Sequence, residues 1–218
     1  MLKVIKSLEE YIDILCHLRV IKGILGGGYL VETGWRRSLW EGRVVDKKGE
    51  PIPWCTYPFI DFIEKRISKE MSIFEYGSGA STNWYAERCM SVTALENDKE
   101  WYEKVLHLTS TKDNVEVIFE SDFENYCLAI NRTGKKYHII IIDSIWGRNE
   151  AMVNSIFSLE KDGIIIVDDS EREEYINGIS YLKENGFRQL DFYGLAATIS
   201  YSDKCTSIFY RDNNIIGI

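Results

Sequence analysis

Two runs of β-branched residues, Ile139-Ile140-Ile141-Ile142 and Ile164-Ile165-Ile166-Val167, constrain this chain more than any other feature. A strand that is apolar at every position has no side to give to water, so it belongs in the middle of a sheet covered on both faces. Around these runs, strand-like and helix-like stretches alternate. Strands are predicted at 71–75, 91–96, 115–119, 137–143 and 163–168, with helical spacing near 81–89, 98–108, 122–131 and 148–159. Such alternation implies a parallel sheet with helices on its faces. A further helix at 170–185 and two short strands, 187–193 and 205–210, close the chain and can pair antiparallel. The expected fold is therefore α/β, doubly wound and mostly parallel, with an antiparallel C-terminal strand pair. A length of 218 residues suits one such domain with an elaboration rather than two domains.

The elaboration is expected at the N-terminus, over residues 1–69, with the sheet domain over 70–218. Val4, Ile5, Leu8, Ile12, Leu15, Leu18, Ile21 and Ile24 recur at the helical period, and Gly26-Gly27-Gly28 ends the pattern. Residues 29–58 have little periodicity but hold Tyr29, Trp35, Trp40, Trp54 and Tyr57, together with all three prolines. Rings that large call for burial, which predicts an ordered loop that either caps a site or packs outside the core. A short amphipathic helix is expected over 59–68.

Charge and cysteine content narrow the partners. The net charge is −8 and no long basic run exists, which disfavours a nucleic-acid partner. Five cysteines, at 16, 55, 89, 127 and 205, show neither C-x-x-C spacing nor histidine partners, so reduced thiols are expected. No signal sequence is read at the N-terminus and no uninterrupted apolar run approaches the roughly 18 residues of a spanning helix. The expectation is a cytoplasmic protein with no membrane partner.

The chemistry gathers around Phe74-Glu75-Tyr76-Gly77-Ser78-Gly79-Ala80-Ser81-Thr82, between the first strand and the first helix that follows it. Glycines there let the chain turn sharply and let a ligand approach the main chain. The helix start favours an anionic or polar ligand group. Roughly 20 residues on, Glu96 ends the second strand, where an acid accepts hydrogen bonds from ribose hydroxyls. A dinucleotide such as NAD and S-adenosylmethionine both fit so far. Thr82 in place of a third glycine, the acid two residues before Gly77, and the closing strand pair favour S-adenosylmethionine.

With Glu75-x-Gly77-x-Gly79, Glu96, Asp122, Asp143 and the Lys161-Asp162-Gly163 turn, residues 70–210 resemble the class I S-adenosylmethionine-dependent methyltransferases. The resemblance implies a seven-stranded sheet with its last strand inserted antiparallel. It implies that Gly77 and Gly79 pass under the methionine part of the cofactor, with Glu75 and Ser81 beside it, and that Glu96 holds the ribose. Asp122 and Phe123 would lie at the adenine, although Asp122 equally suits a helix N-cap. Asp143 would face the reacting centre as the catalytic group, with Asp168, a residue of the aromatic segment or His138 as further candidate bases, although His138 lies inside an apolar strand and better suits a packed core histidine. Asp143, Asp168 and Asp169 at adjacent strand ends are similar to the metal site of the catechol-type O-methyltransferases, which implies Mg2+ or another divalent cation. The same Asp168-Asp169-Ser170 would also serve as a cap for the helix after it.

The function expected is O-methylation of a small molecule or sugar, with the aromatic segment facing the acceptor. The alternatives are an N-methyltransferase or a methyltransferase of RNA or protein, an S-adenosylmethionine-binding module without activity that serves a partner, and an NAD-dependent oxidoreductase. The apolar N-terminal helix with the aromatic segment also suits a homodimer surface.

Overall fold

The structure is a computed structural model and describes residues 8–198 and 203–218. In chain order, α1 (Leu8–Gly26), α2 (Tyr29–Glu32), α3 (Trp35–Glu41) and α4 (Tyr57–Glu64) precede the sheet. There follow β1 (Ser72–Tyr76), α5 (Ala80–Ala86), β2 (Ser91–Glu96), α6 (Lys99–Thr109), β3 (Val115–Phe119), α7 (Phe123–Arg132) and β4 (Tyr137–Ile142). Then come α8 (Arg148–Ser155), β5 (Leu159–Asp168), α9 (Ile176–Glu184), β6 (Arg188–Tyr193) and β7 (Cys205–Tyr210).

The seven strands lie in the order β3-β2-β1-β4-β5-β7-β6. The first five in that order run parallel, while β7 is antiparallel to both β5 and β6. The predicted fold class is thus observed, including the inserted last strand. Ile139, Ile141, Ile164 and Ile166 face one apolar layer with Ile73, Phe59, Ile63 and Ile208. Ile140, Ile142, Ile165 and Val167 face the other, with Phe74, Tyr126, Met152 and Leu182. Alternate residues of each run feed opposite layers, which is why both runs must be apolar throughout.

Three local expectations change. The Lys161-Asp162-Gly163 turn is a bulge inside β5: the pairing steps from Tyr137–Leu159 to Ile139–Ile164, so extra residues are looped out while the strand continues. The helix expected over 170–185 is broken into a turn, a 3-10 turn at Glu173–Tyr175 and α9. Helical structure also enters residues 29–41, which carried no clear period.

Of the N-terminal pattern, Val4 and Ile5 lie outside the described residues. In α1, Ile12, Leu15, Leu18, Val20, Ile21 and Ile24 are exposed. Residues 12–32 are long and apolar enough, at a mean hydropathy of 1.4, to cross a membrane by length and composition. Asp13, Arg19 and Lys22 interrupt this stretch, so it is no uninterrupted apolar run.

Candidate functional site

In a parallel sheet the loops at the carboxyl ends of the strands share one edge, and a crevice forms where the strand order reverses. Here that point lies between β1 and β4, and the residues singled out in the sequence gather there. Gly77 follows β1 with φ +94°, and its N–H donates to the Leu95 carbonyl at 2.9 Å. A Cβ on Gly77 would stand 2.5 Å from the carbonyl oxygen of Asp143, so the glycine lets the ends of β1 and β4 approach each other. Gly79 has extended backbone and only the Trp101 ring beyond it, at 3.7 Å from a Cβ position.

Glu75 is buried at the end of β1 and is gripped by the first turn of α5. The Ser81 hydroxyl donates to Glu75 Oε1 at 2.5 Å, and the Thr82 hydroxyl donates to Oε2 at 2.6 Å. Thr82 Oγ1 also accepts the Gly79 N–H at 2.9 Å. The residue standing for a third glycine therefore ties the loop to the acid. Among the described residues no cationic side chain pairs with Glu75. Burial pushes its carboxyl up to about 7, and the two hydroxyls only partly offset this.

Glu96 lies at the end of β2, 6% exposed. Its Oε1 accepts the N–H groups of Asn97 and Asp98 at 2.9 and 3.0 Å, and its Oε2 accepts the Ser78 hydroxyl at 2.7 Å. Trp101 donates its indole N–H to the Ser78 carbonyl at 2.8 Å. Farther along the same edge, Asp122 caps α7 by accepting the Asn125 N–H at 2.9 Å. Phe123 is 46% exposed and tilted against Trp146, with ring centroids 6.0 Å apart.

Beyond β4 the structure departs from the sequence reading. Asp143, Asp168 and Asp169 do converge, but on two buried cations that the sequence did not mark. Lys204, just before β7, donates to Asp168 Oδ2 at 2.5 Å and to Asp169 Oδ1. Arg148, at the start of α8, reaches Asp143 Oδ1 at 3.1 Å and Asp169 Oδ2 at 3.7 Å, and also donates to the Asp168 carbonyl. The Thr206 hydroxyl donates to Asp168 Oδ1 at 2.6 Å. Arg172 closes the group at 2.7 Å from Asp169 Oδ2.

The divalent-cation expectation is corrected here. These oxygens already serve ammonium, guanidinium and hydroxyl donors, and among the described residues no acid, His and Cys cluster is disposed to hold a metal. The capping alternative fails too, since α9 starts at Ile176 and has no side-chain cap.

Burial raises the Asp143 carboxyl well above the usual carboxylate range. Neighbouring Asp168 adds to the rise, while Arg148 and Lys204 restrain it. Burial alone would lower the Lys204 ammonium, but Asp168 and Asp169 more than reverse that, so it stays charged. The Tyr85 hydroxyl is buried and unpartnered among the described residues. Burial raises it first, and Cys55, Glu75, Asp143 and Asp168 raise it further. His138 has another fate. It sits at the opposite edge, where its Nδ1 accepts the Ser72 N–H at 3.1 Å, so it is no candidate base.

The aromatic segment forms the wall beside this cluster. Thr56 donates its N–H to Thr206 Oγ1 at 3.1 Å and its hydroxyl to the Phe192 carbonyl at 2.9 Å. Tyr57 donates its N–H to the Leu195 carbonyl at 2.9 Å, and Trp54 its indole N–H to the Ala197 carbonyl at 2.8 Å. Cys55 is buried between them, in electrostatic reach of Asp168 and Asp143. Trp54 remains half exposed, whereas Trp40, at 92% exposed, forms no wall.

No family model and no curated protein matches the sequence. Solved structures do match the fold. An rRNA methylase from Streptococcus thermophilus superposes with a TM-score of 0.53 at 17% identity, over 69% of this chain and 92% of its own. The fold is that of the class I methyltransferases. A precorrin 8w decarboxylase from Methanobacterium thermoautotrophicum gives a TM-score of 0.55 at 18% identity, over 78% and 97% of the two chains. A candidate methyltransferase of Streptococcus mutans in complex with S-adenosylhomocysteine gives 0.54 at 13% identity, over 70% and 97%. These are likenesses of fold, and in this fold the loop of Gly77 and Gly79 lies at the switch point between β1 and β4.

Proposed function

We propose that this chain is an S-adenosylmethionine-dependent methyltransferase acting on a hydroxyl group of a small molecule or sugar. The observation that carries the reading is Glu75, a buried carboxyl group at the switch point with hydroxyl partners and, among the described residues, no cation. Such a group is completed by a ligand that brings a positive charge, as the amino group of S-adenosylmethionine does. Glu96 stands at the end of the next strand, one carboxylate serving three donors and facing the same loop. Its position suits a ribose diol, and Asp122 and Phe123 lie farther along the edge, where an adenine would extend.

The bound cofactor supplies a methyl group already activated on a sulfonium. The chain's own work is to orient the acceptor and remove its proton. Asp143 is assigned as base: it keeps 27% of its side chain exposed, lies against Gly77, and has a raised proton affinity. Trp54, held by its indole N–H and half exposed, offers a ring face to the acceptor. The net charge of −8 favours a small acceptor over an RNA backbone.

Thermal shift with S-adenosylhomocysteine, S-adenosylmethionine, NAD and NADP tests the cofactor, because a ligand of the native state raises the melting temperature. The first two are expected to stabilise the wild type and to leave Glu96→Ala unmoved. A shift with NAD alone, or an unchanged S-adenosylhomocysteine shift in Glu96→Ala, refutes the assignment.

A further inference from the structure

We infer that Lys204 is the resident cation of the acceptor site, filling the place of a divalent ion among Asp143, Asp168 and Asp169. The functional reach of this inference rests on the reading of Asp143 as the base, because it means that methyl transfer at this site needs no metal. Two carboxylates at the ends of neighbouring or consecutive positions demand positive charge, and hard divalent cations meet that demand through several oxygens at once. Here one ammonium bridges both carboxylates, and Arg148 and Arg172 add their charge at Asp169. The Lys204 side chain is 7% exposed, and it donates to Asp168, which is 2% exposed, and to Asp169, which is 12% exposed. Arg148, also 7% exposed, takes up Asp143 Oδ1 at 3.1 Å and Asp169 Oδ2 at 3.7 Å.

Independent contacts hold Lys204 there. The next residue, Cys205, donates its N–H to Glu171 Oε2 at 2.8 Å, and its carbonyl accepts the Ser170 N–H at 3.1 Å. Thr206 then donates to Asp168 itself. The entry to β7 is thus tied to the exit of β5 on both sides of the ammonium. Asp169 adopts φ +53°, a left-handed conformation that an Asp tolerates better than most residues, and in it the carboxylate meets Lys204, Arg148 and Arg172 together. A metal ion entering this cluster would have to expel a buried ammonium from two carboxylates, leaving it uncompensated.

Mn2+ is the probe that decides this, since electron paramagnetic resonance counts the free aquo ion. The full-length wild type and Lys204→Arg are expected to leave Mn2+ free. Lys204→Met, which uncovers the carboxylates at nearly unchanged side-chain length, is expected to bind Mn2+ at least about tenfold more tightly than the wild type. Equal Mn2+ binding by wild type and Lys204→Met, whether strong or absent, overturns the inference. Should Lys204→Met not fold, Lys204→Gln replaces it, and Mn2+ binding by the wild type that Asp168→Asn abolishes overturns the inference by itself. S-adenosylhomocysteine calorimetry on the same samples separates the two readings. Its failure in the wild type defeats the proposed cofactor, whereas the Mn2+ comparison tests Lys204 alone.

Discussion

Gly77→Ala is a severe test, because the structure assigns the glycine a different job from the one the loop motif suggests. The motif implies close approach of a cofactor, yet the added methyl would point at the chain itself. It would stand 2.5 Å from the Asp143 carbonyl oxygen and 3.1 Å from its carbonyl carbon. Comfortable contacts of this kind lie near 3.5 Å, so the ends of β1 and β4 must separate by about 1 Å. Forcing Ala into φ +94° costs about 1–2 kcal/mol. Overpacking the junction adds about 1–3 kcal/mol, and the stiffer unfolded chain returns roughly 0.4–1 kcal/mol. The net loss is about 1–5 kcal/mol, with a midpoint of about 3 kcal/mol. For a domain of this size that midpoint lowers the melting temperature by roughly 6–12 °C.

Gly79→Ala is the control, since its backbone is extended and its nearest neighbour is an ordinary contact at 3.7 Å. It should melt within about 2 °C of the wild type, as an unstrained substitution does. Calorimetric melting of both variants without ligand checks the argument. If Gly77→Ala melts as high as Gly79→Ala, the Asp143 contact is not what requires a glycine, and the geometric account of the loop fails.

Glu75 predicts a pH signature. Its folded-state value of about 7 lies above the ordinary 4.5, so the folded chain keeps a proton that the unfolded chain releases between those values. That contribution to stability is present at low pH and is lost as pH rises through the window, and Glu75→Gln should flatten that slope. A ligand ammonium favours the carboxylate, so S-adenosylhomocysteine binding near about pH 6 should release a proton and make the binding enthalpy depend on the buffer. Buffer-independent enthalpies in the wild type would remove Glu75 from the ligand site. Thr206→Val deletes the donor to Asp168 and the acceptor of the Thr56 N–H, leaving two buried groups unpaired at a cost of about 2–5 kcal/mol. Urea denaturation should show that loss, with Thr206→Ser recovering most of it, and full stability in Thr206→Val would mean the aromatic segment is not held through this hydroxyl.

What the residues declare locally they declare well. Ile139–Ile142 and Ile164–Val167 announce central strands because burial on both faces leaves a mark on every residue of the run. The strand–glycine–helix loop at Glu75–Thr82 and the acid at Glu96 are equally plain, since turn geometry and strand ends are short-range matters. Even Asp122 was open to its observed role, because N-capping involves a residue only three positions away. Where the local signal was thin, boundaries moved: the bulge at Lys161–Gly163 imitates a turn, and the break after Asp169 is set by contacts with β7.

Only the tertiary structure could decide the character of the acidic cluster. Asp168 and Lys204 are 36 positions apart and meet because β7 inserts beside β5. No periodicity or spacing in the chain records that pairing. From the sequence, three acids at adjacent strand ends call for a cation and leave its identity open. In the fold, electrostatics in a buried site requires the charge to be balanced at contact distance, and the chain supplies that balance from Lys204 and Arg148.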